Sequence, residues 1–400
     1  MSAIRTPLAW KNLTHDRRRL AAAVVGIGFA VLLMFLQVGF ENALFNSQVR
    51  LLDRLAGDVF LISRARFALA AEKRFPIERL NQARSCAGVE AVAPVYLELT
   101  TSVLKNVTDP RGGRGYPIRA IGVPLDRIGG APVVRGGVPA GGLDALRRPR
   151  VALIDSRSKA SSYDFPLDDP AELSQTKAEL AGQAIRFAGV FDLGPDFVND
   201  GSLLMSTANF AAYFPRRNPN GPPLDVVDLA VVTVSDNARP AVVRDRLAAV
   251  LGPCVVALTR GELRRREVRF WRRSTPIGTI FWAGKVIGFV VGVVICYQVI
   301  FSGIADHLPE FATLKAMGYG AAYFVSLIIA EAALLTLFGF VPGAAISTAL
   351  YGWLAGQTGL LMTMTPGCLA LVLAVTLVMC IVSGLLAVRK LLAADPASLF

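Results

Sequence analysis

Residues Leu20 to Phe40 are 21 consecutive positions without a charge. At about 1.5 Å per residue a helix of that length crosses a hydrocarbon core of about 30 Å. Arg17, Arg18 and Arg19 precede it directly. A secretory leader would have a shorter apolar stretch and a small-residue cleavage site. Here the stretch closes on Phe35, Leu36, Gln37 and Val38, so it reads as a retained anchor. Three further apolar stretches follow in the last third. One runs from Thr279 to Ile304 with Lys285 as its only charge, and one from Ala321 to Ala355 with Glu331 as its only charge. The third, Gly367 to Val388, has no charge and stops at Arg389-Lys390. The Ala321–Ala355 stretch is too long for one straight crossing, and Pro342-Gly343 predicts a kink or break in it.

The expected fold class is therefore a membrane α-helical protein with four transmembrane helices and a large extracytoplasmic α+β domain between helices 1 and 2. The predicted organisation is an N-terminal arm over 1–19, helix 1 over 20–40, the outer domain with a helical stalk over 41–278 and helix 2 over 279–304. A loop over 305–320, helix 3 over 321–352, a short outer loop over 353–366, helix 4 over 367–388 and a tail over 389–400 complete it. The hydrophobic fraction of 53% and a mean hydropathy of +0.48 suit this plan better than a soluble domain.

Lys and Arg in short flanking segments set orientation. Arg5, Lys11 and Arg17 to Arg19 place the N-terminus in the cytoplasm, and four crossings return Arg389-Lys390 there. Arg260, Arg264, Arg265, Arg266, Arg269, Arg272 and Arg273 precede helix 2 on the outer side and oppose this assignment. Long domains translocate largely regardless of charge, so the assignment stands.

The net charge of +12 is concentrated beside apolar spans, which points to anionic lipid headgroups instead of nucleic acid. Arg264, Arg265, Arg266, Arg269, Arg272 and Arg273 are the candidate headgroup-facing set; the alternative is a solvated stalk face with snorkelling side chains. Between helix 1 and helix 2 the sequence alternates strand-like runs with two helical patterns. The runs are Asp58–Ser63, Val92–Leu104, Tyr116–Val123, Val151–Asp155, Ala184–Phe191, Ser202–Met205 and Val226–Val234, and the helices Ile77–Cys86 and Arg239–Leu251. Glycine-rich stretches at Gly112–Gly115 and Gly129–Gly142 read as loops, the second a candidate division into two subdomains. Phe40 to Leu55 and Glu262 to Arg273 predict the helical stalk.

Several chemistries are missing from the sequence. It holds no G-x-x-x-x-G-K-[ST] phosphate loop and no G-x-S-x-G elbow. His15 and His307, its two histidines, lie near no cluster with zinc spacing. Asp155 with Ser156 and Ser158 reads as a strand-end turn. No catalytic residue, metal site or cofactor is expected in this chain. Of five cysteines, Cys296, Cys368 and Cys380 fall in apolar spans; Cys86 and Cys254 in the outer domain are a candidate disulfide.

Charges inside a bilayer need partners. Glu331 lies about 15 Å into its span and Lys285 about 9 Å into its own, and the two are expected to pair within or between protomers. The alternative for Glu331 is a protonated carboxyl or a bond to a hydroxyl. Gly288, Gly292, Gly339 and Gly343 suit close helix packing.

Trp271-Arg-Arg-Ser-Thr-Pro-Ile-Gly-Thr-Ile-Phe281, Gly288-Phe-Val-Val-Gly-Val-Val-Ile-Cys-Tyr-Gln298 and Asp306-His-Leu-Pro-Glu-Phe-Ala-Thr-Leu-Lys-Ala-Met-Gly-Tyr319 follow one another through helix 2 and the next loop. They closely resemble the DevC-type permeases, membrane subunits of heterocyst-type glycolipid exporters within the MacB- and FtsX-like class of ABC transporters. Phe187-Ala-Gly-Val-Phe-Asp-Leu-Gly194, Asp200-Gly-Ser-Leu-Leu-Met-Ser206 and Asp395-Pro-Ala-Ser-Leu399 extend the likeness over nearly the whole chain. The resemblance implies a homodimer in the cell inner membrane, with a separate ATPase subunit carrying ATP and Mg. It also implies a periplasmic membrane-fusion adaptor and an outer-membrane channel. The arm of 19 residues is too short for a fused ATPase domain.

The resemblance makes the 306–319 loop the ATPase-coupling element, with Glu310, Phe311, Thr313, Leu314, Lys315, Met317 and Gly318 as its candidate residues. Pro309 suits a helix start, Glu310 and Lys315 match the helix dipole, Phe311, Leu314 and Met317 form an apolar stripe, and Gly318 ends the helix. A helix lying on the membrane surface is the alternative. Related permeases also tend to carry a Glu at the place of Glu331-Ala-Ala-Leu-Leu. An FtsX-like transmitter that activates a cell-wall enzyme without exporting a substrate is the competing function. An anchored sensor with no ATPase leaves the loop unexplained.

Overall fold

The computed structural model describes residues 17–108, 114–126, 133–139, 141–306, 313, 317–358 and 362–393. They divide into two compact units. One is Leu44–Thr275 with the short piece Gly356–Leu361; the other holds the rest of the chain.

The outer unit is built on one mixed sheet, ordered β13-β1-β12-β3-β6-β10-β7-β9-β8-β4-β5. Its strands are β1 (Val59–Ser63), β3 (Val89–Glu98), β4 (Val103–Asn106), β5 (Gly115–Pro117), β6 (Arg119–Val123), β7 (Val151–Asp155), β8 (Ala178–Leu180), β9 (Gln183–Phe191), β10 (Ser202–Ser206), β12 (Leu229–Val234) and β13 (Val255–Thr259). A two-stranded ribbon pairs β2 (Phe75–Pro76) with β11 (Val226–Val227). β6 and β7 run parallel to β10 and β9 respectively, and the other pairs are antiparallel. The sheet continues across the 129–142 segment through the pairing of β6 with β10 and of β3 with β12, so the outer domain is one sheet and not two subdomains.

Side-chain alternation explains why β1, β6, β7 and β10 are buried at every position. Successive residues point to opposite faces, and both faces carry a core. Val59 and Leu61 of β1 and Leu203 and Met205 of β10 join one cluster, over which Leu80 of α2 (Glu78–Arg84), Phe210 of α6 (Thr207–Tyr213) and Leu247 of α7 (Pro240–Val250) pack. Phe60 and Ile62 of β1 and Leu204 of β10 join the second. That side is covered by Leu52 of α1 (Arg17–Arg54), by Leu55 just beyond its end and by Leu263 of α8 (Arg260–Arg273). A β-carbon on Gly122 of β6 would stand 2.6 Å from the Phe210 ring, so a side chain there would displace α6. The remaining short helices are α3 (Gly142–Ala145), α4 (Ala160–Tyr163) and α5 (Pro170–Gln175).

The second unit holds the apolar helices: the first part of α1, then α9 (Pro276–Asp306), α10 (Ala321–Thr358) and α11 (Pro366–Ala393). Among the described residues four helices are long and apolar enough to span a membrane. α1 continues as helix from the apolar stretch to Arg54, and α10 runs through Pro342 as one helix. Large apolar side chains such as Ile280, Trp282, Ile287, Leu337, Val341 and Val378 face outward, a liability in water and the expected surface in lipid. Inward, Thr336, Ser347, Thr376 and Ser383 each donate their hydroxyl to the carbonyl four residues back, so no buried hydroxyl among these four lacks a bond.

Candidate functional site

The helix that leads into the second span is the best-anchored segment of the outer unit. Thr259 caps α8 with a complete capping box: its hydroxyl accepts from Glu262 N–H, and the Glu262 carboxylate accepts from Thr259 N–H at 2.8 Å. One face of α8, Leu263, Glu267 and Trp271, is buried. The Glu267 carboxylate accepts from the Trp271 indole N–H at 2.9 Å and from Leu69 N–H at 3.0 Å. Burial pushes its pKa up to about 7, against the pull of these two bonds and of Arg66.

The arginines of α8 divide into two groups. Arg260 donates to the carbonyls of Leu52, Leu55 and Gly57 and lies over the Phe60 ring. Arg264 reaches Asp53 at 3.2 Å and Asn46 at 3.1 Å, Arg266 donates to the Arg66 carbonyl at 2.7 Å, and Arg272 lies over the Phe45 ring. These four brace the unit. Arg265, Arg269 and Arg273 are exposed. The sequence grouped six arginines as headgroup-facing; three of them, Arg264, Arg266 and Arg272, have partners within the protein.

Sequence reasoning missed the densest charge cluster of the unit. Arg66 and Arg217, 1% and 0% exposed at their side chains, both grip Asp228, itself fully buried. Arg66 Nη1 lies 3.0 Å from Asp228 Oδ1, while Arg217 Nη2 binds Oδ2, which also accepts from Leu97 N–H at 2.9 Å. Arg74 adds contacts to Glu98 at 2.9 Å and Asp228 at 3.4 Å. The Arg217 guanidinium stacks on Tyr96 and Phe210. Arg66 also donates to the carbonyls of Leu69 and Lys73. The segment between β1 and β2 is thus held from beneath by Asp228 and from the side by Glu267. The one sequence signal was an excess of Arg in segments otherwise reading as loop, which does not reveal pairing across 162 positions.

In the membrane unit Lys285, expected to pair with Glu331, has an acidic partner of its own chain in Glu41. Lys285 Nζ sits 2.6 Å from Glu41 Oε2, with the Glu41 side chain 10% exposed. Glu41 lies in the stretch read as a helical stalk; α1 runs through it as helix, and its carboxylate accepts from Lys285. Glu331 is half-buried on α10. In a double-mutant cycle, Glu41→Gln and Lys285→Met are expected to couple by about 1–3 kcal/mol, read as thermal unfolding in detergent. Purely additive effects would show that the pair stabilises nothing. Of the small residues, Gly292 meets Met379, and Gly339 and Gly343 admit Ile27, Val31 and the backbone of Gly28. A β-carbon on Gly343 would lie 3.0 Å from the Gly28 carbonyl, so α1 and α10 approach backbone to backbone there. At Gly288 a β-carbon would find only ordinary contact, 3.9 Å from Met34, so close packing does not explain that glycine.

Cys86 and Cys254 are free thiols, Cys86 buried and Cys254 exposed, so the candidate disulfide does not form. Cys86 is committed to the core beneath α2. Asp155 is a turn residue: its carboxylate accepts from the N–H groups of Arg157, Leu193 and Gly194. Among the described residues no three His, Cys, Asp or Glu side chains gather as a metal site. Glu310, Phe311, Leu314 and Lys315 of the coupling loop lie outside the described residues. Met317 N–H donates to the Thr313 carbonyl at 3.0 Å, one helical turn, and Gly318 follows at φ +91°, a conformation that ends a helix readily only with glycine.

The architecture is that of a membrane protein with four candidate spanning helices and a large α/β domain between the first and second. Residues 284–396 match the family model of the FtsX-like permease C-terminal domain. No curated protein matches the chain. Among solved structures, the chain is similar to the extracellular domain of the noncanonic ABC-type transporter YknZ from Gram-positive bacteria. That match has 14% identity and a TM-score of 0.33, and covers 50% of this chain and 98% of that one.

Proposed function

We propose that this chain is the permease subunit of an ATP-driven ABC export complex of the MacB-like class. The observation that carries the reading is the match of residues 284–396 to the FtsX-like permease domain. The four spans and the large domain between the first two support it. In this reading the protein lies in the cell inner membrane as a homodimer, with both termini cytoplasmic and the sheet domain in the periplasm. A partner ATPase docks on the 305–320 loop, and its motion reaches the outer domain, which engages a membrane-fusion adaptor leading to an outer-membrane channel. The cargo is a lipid, glycolipid or other small amphiphile, as the DevC-like strings suggest. The chain itself carries out no chemistry.

The test is purification of tagged protein from native membranes in mild detergent, with every co-purifying protein identified, for the parent chain and for Glu310→Arg and Phe311→Ala. An ABC ATPase with a periplasmic adaptor, both retained by the parent and the ATPase lost by the variants, is the expected result. An ATPase found with a cell-wall hydrolase and no adaptor would replace the exporter by the FtsX-like transmitter. Absence of any ATPase, also after crosslinking from the loop, would overturn both.

A further inference from the structure

Two loops of the outer domain each present an exposed phenylalanine, and both are clamped from behind by buried charge. Phe67 is 54% exposed, yet its neighbour Arg66 is locked to Asp228, and Leu69 N–H is held by Glu267. Phe197 is 53% exposed at the tip of a turn closed by Asp196. The Asp196 carboxylate accepts from the N–H groups of Val198 and Asn199 at 2.8 Å and binds Arg119 at 2.5 Å. Order at the base and exposure at the tip is the opposite of a loop left slack in solvent.

The two rings meet one place on α8. Phe67 lies 5.1 Å from the Phe270 ring, Phe197 lies 6.1 Å from Trp271, and Phe270 and Trp271 touch at 5.5 Å. Beside them on α8, Arg265, Arg269 and Arg273 are exposed and spaced four residues apart, so they share one helix face. Phe270 precedes Pro276, the first residue of the second candidate span, by six positions. That is about 9 Å of chain if helical and about 20 Å if extended, which keeps the cluster within reach of the headgroup layer. Exposed aromatic rings beside a row of arginines, this few residues from a candidate span, match an interface that is apolar on one side and anionic on the other.

We propose that Phe67, Phe197 and Phe270, with Arg265, Arg269 and Arg273, form a collar that inserts into the headgroup layer of the leaflet facing the outer domain and binds anionic phospholipid there. The proposal is independent of the exporter reading, because it needs only the spans and the domain between them.

The test uses the full chain with Cys254→Ser, spin-labelled at Phe67→Cys or Phe197→Cys, in nanodiscs of phosphatidylcholine with phosphatidylglycerol. A label at Val250→Cys, an exposed position of α7, is the aqueous reference. The expected result is a several-fold rise in the ratio of oxygen to nickel-chelate accessibility at 67 and 197 over that at 250. Changing Arg265, Arg269 and Arg273 together to Gln is expected to reduce the phosphatidylglycerol that co-purifies with the protein. Labels at 67 and 197 as open to the nickel chelate as the reference would overturn the proposal. So would labels closed to both reagents, which would mean a protein surface covers the rings. Unchanged co-purified lipid in the arginine variant would remove the anionic half of the proposal and overturn it as stated.

Discussion

Asp228→Asn is expected to destabilise the outer domain by about 3–5 kcal/mol, the usual cost of leaving a buried charge without its counter-ion. Arg66 and Arg217 are both fully buried, and both direct a guanidinium nitrogen at this one carboxylate. An asparagine keeps the shape and one acceptor, which still serves Leu97 N–H or one arginine, but it removes the charge that both arginines share. Glu98 stands 4.0 Å from Arg217 Nε and is already engaged by Arg74, so it does not replace the lost partner. The check is amide hydrogen exchange of the full chain in detergent. Protection in β3 and β12 should fall by a hundredfold or more, since about 1.4 kcal/mol is a factor of ten. A loss of less than about tenfold would mean that the carbonyl bonds of Arg66 and Arg217 hold the web without the carboxylate.

The second large effect is a pH dependence set by Glu267. Burial raises its pKa from the ordinary carboxyl value of 4.5 to about 7. A carboxyl raised on folding binds its proton more tightly in the folded state, so its contribution to stability is greatest below the unfolded value. That contribution falls as pH rises toward about 7 and is level above it. The full span amounts to about 3 kcal/mol at about 1.4 kcal/mol per unit. Between pH 5.5 and pH 8.5 about 2 kcal/mol of it is expected to be lost. Glu72 and Asp200, whose pKa values are lowered, act in the opposite sense and at more acidic pH, so they stay ionised through this window. Thermal unfolding of parent and Glu267→Gln at both pH values gives the comparison. Glu98 and Asp155, also raised by burial, act in the same sense and remain in the variant, so the parent should lose about 2 kcal/mol more toward pH 8.5 than the variant does. Equal slopes would show that Glu267 does not titrate in that range.

How much of this was legible in the sequence depends on how far apart the interacting residues lie. Val59–Ser63, Val151–Asp155 and Ser202–Ser206 are short β-branched or apolar runs, and each is a strand buried on both faces. The spans were legible because an uncharged run long enough to cross a bilayer has few other uses. That helix runs on past Phe40 was legible too, but not that it carries Glu41 to Lys285, 244 positions downstream. The division of the outer domain was misread because a glycine-rich segment marks a loop and says nothing of which strands pair on either side of it. The Asp228 web brings Arg66 to a residue 162 positions away and the aromatic cluster on α8 brings Phe67 to Phe270, and local pattern carries no trace of either.

The sheet order has a consequence for how the domain is made. β1 is among the first of its strands to emerge, yet its neighbours are β12 and β13, residues 229–232 and 255–259. The segment after β1 takes its order from Asp228 and Glu267, 162 and 198 positions downstream of their partners. No partner for β1 exists until nearly the whole domain has been synthesised. Through that interval an all-apolar edge, Val59-Phe-Leu-Ile62, stands unpaired. The domain therefore closes in one late step, and whatever shields that edge during biogenesis governs the yield of assembled protein.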